Sequence, residues 1–409
     1  MGYTRDVIKG VSWLGGIRVS TRALVLIKTL IIARILTPSQ FGVFGIAILL
    51  LTFIEIVTET GINIFLVQNR EKVDKYLGTA WIISIARGIL IAGVIFLGSS
   101  FVTNFFDVSY AQNIIVLIAL VPIIRGFINP AIINLQKELL FKKEFYLRTS
   151  VLITETLVTV FLVWINRSVE ALIYGMLLGA TLEAVLSFLV IKPLPNLNFA
   201  LSHFKDIISR GKWITGATIL NYFYQNGDTI AVGKIVGATS LGLYDMAYKI
   251  SLVPLNDFAD VFGKVVFPVY VRISEDSLRF RRAYFRALAV VVLVVLPIGI
   301  FISIFAKEII LIILGEKWIE ATSALTVLGI FGAIRAISVF ASTSLFLPLR
   351  KQNVITLISL VNLLGLGITI VPLVLLYGIL GAALSALFGT LVTIPLILYF
   401  VYKYLPRGQ

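Results

Sequence analysis

Residues 33–47, ARILTPSQFGVFGIA, find a counterpart 200 positions later in GKIVGATSLGLYDMA (233–247). The ungapped register pairs Ile35 with Ile235, Gly42 with Gly242 and Ala47 with Ala247. It also sets Arg34 against Lys234 and Phe44 against Tyr244, and brings Trp13 and Gly16 onto Trp213 and Gly216. Each copy reads as the tip of a helical hairpin: an apolar run, a short turn of Thr, Pro, Ser or Gly, and a second apolar run. The chain is therefore expected to be an internal repeat, two versions of one design in tandem.

Working outward from these tips, apolar stretches fill the chain. At 59% hydrophobic residues and a mean hydropathy of +1.00 it lies outside the range of soluble domains. A run of ~20 apolar residues crosses ~30 Å of hydrocarbon, and the sequence offers twelve: 11–36, 41–66, 77–102, 113–135, 147–166, 170–191, 210–236, 241–269, 283–305, 318–346, 353–376 and 378–402. The expected fold is an all-α polytopic membrane protein of twelve transmembrane helices. It divides into an N-lobe (1–191, TM1–6), a cytoplasmic inter-lobe linker (192–209) and a C-lobe (210–409, TM7–12). Each repeat holds an even number of crossings, so both enter from the same side. They form two parallel six-helix lobes, related by an axis along the membrane normal, around a central cavity. In the linker, Pro193 and Pro195 end the sixth helix, and Leu201, Phe204 and Ile208 form an interfacial stripe.

Orientation follows from the basic residues. Lys and Arg crowd the termini and the even-numbered connections, whereas the odd-numbered connections hold only Arg167, Lys307 and Lys317. Both termini are thus expected in the cytoplasm, with the protein multi-pass in the plasma or inner membrane. The net charge of +14 reports this topology and attraction to anionic lipid, with no nucleic-acid partner required. No cleavage site follows the first span, which carries Arg18, Arg22, Lys28 and Arg34 and is expected to be retained.

Composition also removes chemistries. There is no cysteine, hence no disulfide, thiolate metal site or cysteine nucleophile, and the single histidine, His203, sits in the linker. No metal, catalytic residue or cofactor is expected, and no phosphate-binding glycine loop for a nucleotide is present. The chain is therefore not expected to be an enzyme; the candidate coupling ions are H+ or Na+.

Charged side chains inside apolar spans are costly in lipid and must face water or one another. Arg18 and Arg22 lie at the depth of Glu59 and Glu55, each pair at i, i+4 spacing on one helix face. They can form interhelical ion pairs, or the glutamates can gate or couple an ion. Arg87 and Arg125 lie at the same level, so the inner half of the first lobe gathers four arginines, with Arg335 as a further cation in the second. Guanidinium forks match phosphate oxygens, and these five are the candidate pyrophosphate ligands, unless Glu55, Glu59, Glu155 and Glu183 neutralise them. Lys28 and Asp228 occupy equivalent repeat positions as a candidate gate. Asp257 and Asp260, beside Pro254, are a candidate cation site or form pairs such as Asp260–Lys264. Gly175 and Gly179, and the stripe Gly381, Ser385 and Gly389, read as close helix contacts. Trp164 and Trp318 read as interfacial anchors, and RFRRAYFR (279–286) as a contact for inner-leaflet headgroups.

The stretches IARILTPSQFGVFGIA and TETGINIFLVQNRE, then GDTIAVGKIVGATSLGLYDMAYKISLVPL with FPVYVRIS, and later LGEKW, resemble the polysaccharide-transporter (oligosaccharide flippase, Wzx-like) family of the MOP superfamily, from about residue 10 to about 400. The resemblance implies a pair of six-helix, MOP/MATE-like lobes. Its implied function is outward passage, by alternating access, of a polyprenyl-pyrophosphate oligosaccharide or polysaccharide repeat unit. It also implies contact with polysaccharide assembly proteins. The matching turn positions, Thr37–Gly42 and Gly237–Gly242, are structural and name no substrate ligand. Without the added helices of lipid II flippases, a peptidoglycan precursor is the less expected cargo. The alternative on the same fold is a multidrug or organic-cation antiporter, which favours an acidic cavity. A membrane glycosyltransferase and a passive scramblase are further alternatives.

Overall fold

The computed structural model describes residues 21–22, 24–59, 61, 62, 66, 74–138, 140–196, 198, 200–273 and 276–405, with backbone alone for 74 and 201–217. The described residues are helical, with no strand. They group into two compact units, Met1–Tyr222 and Phe223–Gln409.

The first unit contains α1 (24–35), α2 (Pro38–Val57), α3 (Asp74–Phe105), the short α4 (Gln112–Ile118) and α5 (Leu120–Gly126), α6 (Phe141–Asn166), α7 (Glu170–Val190), and most of α8 (Leu201–Ile235). The second contains the end of α8, then α9 (Ala238–Ile273), α10 (Ser277–Ile304), α11 (Ala306–Ile313), α12 (Ala321–Phe346) and α13 (Gln352–Tyr404). The repeat register appears in the backbone: one helix stops at residue 35 and the next starts at 38, while their counterparts stop at 235 and start at 238. The two tips are capped differently. Thr37 caps α2 through a capping box: its hydroxyl accepts from the Gln40 N–H, and the Gln40 side-chain oxygen accepts from the Thr37 N–H at 2.9 Å. Pro38 fills the first helical turn, where its missing N–H costs nothing. At the second tip Gly237 instead takes φ +99°, a conformation that glycine tolerates. The Gln40 amide also donates to the Arg167 carbonyl at 2.9 Å, where α6 ends on a left-handed residue, φ 47°.

Eight helices among the described residues are long and apolar enough to cross a membrane, Gln352–Tyr404 being one of them. Their outward surfaces are apolar: Leu97, Phe101, Ile368 and Leu376 are each more than 70% exposed, an arrangement suited to lipid. The helices α8 and α9 are as long as these but more charged, α9 carrying Asp245, Lys249, Asp257, Asp260 and Lys264. Such helices need polar neighbours or water beside them.

Two expected features differ in the structure. The crossing expected at 113–135 ends as a helix at Gly126, because Asn129 diverts the chain. Asn129 is fully buried; its N–H donates to Ser187 Oγ, its side-chain amide to the Pro193 carbonyl, and its side-chain oxygen accepts from the Ala131 N–H before Pro130–Ile133 forms a 3-10 turn. Trp318, expected at the membrane interface, is fully buried: Gly315 at φ +96° turns the chain after α11, and the turn Glu316–Trp318 carries the indole inward. Trp164, expected likewise at the interface, is 67% exposed.

Close helix contacts fall where small residues predict them. A Cβ on Gly175 would meet Thr159 Oγ1 at 1.9 Å, and one on Gly179 would meet Glu155 Oε2 at 2.9 Å, so α6 and α7 approach only because these positions lack one. In α13 the helix breaks at Gly378, whose φ 58° and ψ −132° suit glycine alone, and the two halves fold back together. Across them Thr369 and Ser385 share a 2.7 Å hydroxyl bond, and Asn362 donates to Thr390 at 3.1 Å. Gly378→Ala is expected to destabilise the second unit by about 1–3 kcal/mol through backbone strain. Gly367→Ala, at a helical position with open space around it, should be neutral. Thermal unfolding of both variants in detergent checks the contrast.

Candidate functional site

The first unit presents a cluster of ion pairs at the C-terminal end of α2. Arg87, from α3, donates to the Glu55 carbonyl at 2.5 Å and to Thr58 Oγ1 at 3.3 Å, and pairs with the Glu59 carboxylate at 3.3 Å. The guanidinium thus caps α2, where free carbonyls concentrate negative partial charge. Glu59 also accepts from the Gly61 N–H at 3.1 Å, and Arg125, from α5, reaches Glu55 at 3.5 Å. The four side chains are a quarter to a half exposed, so they are hydrated and accessible. Arg22 is exposed, and Arg18 lies outside the described residues. The carboxylates Glu55 and Glu59, expected at the depth of Arg22 and Arg18, thus engage Arg125 and Arg87.

Deeper in the same unit Lys28 donates to Glu155 at 2.5 Å, with both side chains mostly buried. Glu155 leans on the bare backbone of Gly179, the contact that a Cβ there would obstruct.

The second unit holds a different arrangement, in which two neighbouring tyrosines engage an acid and an arginine. Asp228, on α8, is 4% exposed. Its Oδ2 accepts from Tyr244 OH at 2.7 Å and its Oδ1 from the Thr229 N–H at 2.8 Å. One turn beyond Tyr244 on α9, Tyr248 OH accepts from Arg335 Nη1 at 2.6 Å. The Arg335 guanidinium, from α12, lies over the rings of Tyr224 and Phe331, 5.1 and 5.7 Å from their centroids. Tyr244 and Tyr248 are themselves 6.2 Å apart between ring centroids. A buried carboxylate thus accepts from one tyrosine hydroxyl and an arginine donates to the next, each hydroxyl able both to donate and to accept, with the two rings in contact between them. Such a network is stable only when every member is satisfied.

Sequence reasoning named both ends, Asp228 and Arg335, and missed Tyr224, Tyr244, Tyr248 and Thr229. A signal existed: Tyr224 and Asp228, like Tyr244 and Tyr248, are spaced i, i+4 on helices that the repeat makes neighbours. Lower on α9, Asp260 and Lys264 pair within the helix at 3.8 Å, both more than half exposed, and Asp257 is partly buried. Above them Asp245 and Lys249 pair at 2.6 Å. Among the described residues no group of three acidic or histidine side chains is arranged to hold a metal ion.

Comparison with known proteins identifies the family and the fold. A family model described as "Polysaccharide biosynthesis protein" matches residues 31–323. The lipopolysaccharide biosynthesis protein WzxC of Escherichia coli (strain K12) is 23% identical over 339 residues, covering 82% of this chain and 69% of its own. Among solved structures, the lipid II flippase MurJ in an inward closed conformation matches with a TM-score of 0.74 at 16% identity, over 95% of this chain and 86% of that one. An outward-facing multidrug resistance MATE transporter of the MOP superfamily matches at 0.62 and 15% identity, over 97% and 95%.

Proposed function

The chain belongs to the polysaccharide biosynthesis protein family, and on that premise we propose that it is a flippase moving a polyprenyl-pyrophosphate oligosaccharide or polysaccharide repeat unit from the cytoplasmic to the outer leaflet. The family match over residues 31–323 carries the reading, supported by kinship to a lipopolysaccharide biosynthesis protein and by a fold shared with a lipid II flippase. The physical task is set by the cargo. A multiply charged phosphate and many hydroxyls cannot enter hydrocarbon without hydrogen-bonding partners. A protein that lowers this barrier needs fixed cations and hydrogen-bonding groups within a membrane-embedded frame.

Twelve helices in two six-helix lobes, with both termini cytoplasmic, would rock about the head group while the lipid tail stays in the bilayer through a lateral opening. Arg87 and Arg125, with Arg18 and Arg22, would receive the pyrophosphate in the first lobe, and Arg335 in the second. Glu55 and Glu59 hold the first pair of guanidiniums in place and yield them to a more highly charged phosphate. Asp228, whose Tyr244 partner can re-aim its hydroxyl, is the proposed site of ion coupling to H+ or Na+. A membrane potential adds ~2.3 kcal/mol per charge per 100 mV, which favours export of an anion from a negative interior.

The test is transfer in reconstituted vesicles loaded with fluorescent lipid-linked oligosaccharide on one leaflet, followed by an impermeant quencher. The proposal expects protein-dependent relocation with no new glycosidic bond. Relocation at the rate of protein-free vesicles rejects it, and new sugar linkages would mark an enzyme.

A further inference from the structure

Where α12 turns into α13, and where α13 ends, basic residues gather that none of the roles above uses. Gly378 stands midway along α13, so the folded-back halves return their ends, Gln352 and Tyr404, to one face of the membrane. There the Tyr404 ring lies nearly parallel to Phe400, 5.9 Å between centroids, and meets Phe346 edge-on. Two ammoniums approach this held ring. Lys351 Nζ lies 5.1 Å and Lys403 Nζ 5.5 Å from its centroid, the second also 5.9 Å from that of Tyr399. Among the described residues neither lysine pairs with a carboxylate, and the Tyr404 hydroxyl makes no hydrogen bond. The connection from α12 fixes Lys351 by its backbone: its N–H donates to the Phe346 carbonyl at 2.8 Å, closing a turn in which Arg350 takes φ 56°. Glycine commonly fills that left-handed place at a helix end. Here an exposed arginine fills it and adds a third charge beside Lys351. Like charges held around one ring repel, and an anion between them turns that repulsion into attraction.

We propose that Lys351, Lys403 and Tyr404 form a binding site for one anionic phospholipid, the two ammoniums and the phenol receiving its phosphate. Ammonium and hydroxyl both donate, and the free phosphate oxygens accept. The surface beside the site makes the anion a lipid. On the second half of α13, Leu391 and Leu398, 41% and 63% exposed, stand seven residues apart on the helix face that continues to Tyr402, 69% exposed. Acyl chains of a phosphate held at Lys403 lie along this stripe. A soluble phosphate gains nothing from it, and an acidic protein segment would have to enter hydrocarbon to cover it. A zwitterionic lipid offers the same phosphate but brings its own positive charge among three others. With both termini cytoplasmic, as proposed above, the lipid belongs to the inner leaflet, where anionic lipids attract basic segments. The site depends on the membrane-spanning fold and not on the cargo, so it stands or falls apart from the flippase reading.

Native mass spectrometry of the full chain in detergent, titrated with phosphatidylglycerol, phosphatidylcholine or glycerol 3-phosphate, reads the affinity of the first ligand bound. Wild type should hold one phosphatidylglycerol about tenfold or more tighter than either of the others, which lack the net charge or the acyl chains. Lys351→Gln with Lys403→Gln should weaken it about tenfold or more, the scale of two basic residues at an anionic membrane surface. Tyr404→Phe, which keeps the ring, should weaken it about threefold, and an unchanged affinity there overturns the phenol's part. Arg281→Gln with Arg282→Gln removes the same charge from the exposed basic run at the start of α10 and should leave the affinity within about twofold. Equal losses in the two double variants would make the attraction a diffuse property of the basic surface and overturn the site. Phosphatidylcholine binding as tightly as phosphatidylglycerol would remove charge from the recognition, and glycerol 3-phosphate doing so would remove the lipid; either result overturns the proposal. Should the double lysine variant not fold, Lys403→Gln alone, at an exposed side chain, decides by the same comparison with Arg281→Gln.

Discussion

Arg335→Ala is expected to reduce transfer to the level of empty vesicles and to destabilise the second unit by about 3–5 kcal/mol, the range for removing one partner from a buried charged network. Three losses coincide. Tyr248 loses the donor at 2.6 Å, the rings of Tyr224 and Phe331 lose the cation above them, and buried Asp228 loses a positive charge acting on it within the same unit. Arg335→Lys keeps the charge but not the planar fork that bonds Tyr248 while stacking on Tyr224. It should recover part of the stability and little of the transfer. Adding Asp228→Asn to Arg335→Ala removes the unbalanced carboxylate and should restore melting temperature relative to the single variant. Thermal unfolding in detergent and vesicle transfer separate these effects. If Arg335→Ala melts within about 0.5 kcal/mol of wild type, the scale of an ordinary surface change, the network is not holding the unit together.

The second large effect is expected at Arg87. Arg87→Ala deletes a cap on α2, an ion pair and a hydroxyl contact together. Because Arg87 is 25% exposed and Glu59 36%, the stability cost is moderated by water and should be about 1–2 kcal/mol. The effect on an anionic ligand should be larger in proportion. Binding of inorganic pyrophosphate to the purified protein should weaken in Arg87→Ala and strengthen in Glu59→Gln, which releases the guanidinium from its carboxylate without removing it. A purely structural Arg87 predicts the opposite pattern for Glu59→Gln: lost stability and no gain in affinity. Arg87→Lys sharpens the contrast, since an ammonium preserves charge but cannot bond Glu55, Thr58 and Glu59 from one rigid plane.

Much of the fold was legible because lipid imposes a simple code. Apolar length marked the helices, and the offset of 200 holds to the residue between the two hairpin tips: the spans expected to end at 36 and 236 and restart at 41 and 241 end at 35 and 235 and restart at 38 and 238. The last two expected crossings, 353–376 and 378–402, are separated by a break at Gly378, within a residue of the expected gap. Small-residue spacing marked the α6–α7 contact. What the sequence hid depends on rotation of one helix about its axis relative to another. Spacing of i, i+4 shows that Glu55 and Glu59 share a face, but not that this face turns toward Arg87 and Arg125. Likewise Tyr244 and Tyr248 look like ordinary aromatic residues until α8 and α12 bring Asp228 and Arg335 against them. Trp318 was misread because a glycine turn, and not hydropathy, decides which way that indole points.

The side chain of Gln40 joins two segments of backbone: its oxygen holds the start of α2 and its nitrogen holds the carbonyl that ends α6. Two loops distant in sequence are thereby riveted together at one rim of the first unit. A body fastened at one rim swings as a stiff lever, so displacement during a transport stroke would grow with distance from that rim and be greatest near Arg87 and Arg125, at the other end of the hairpin.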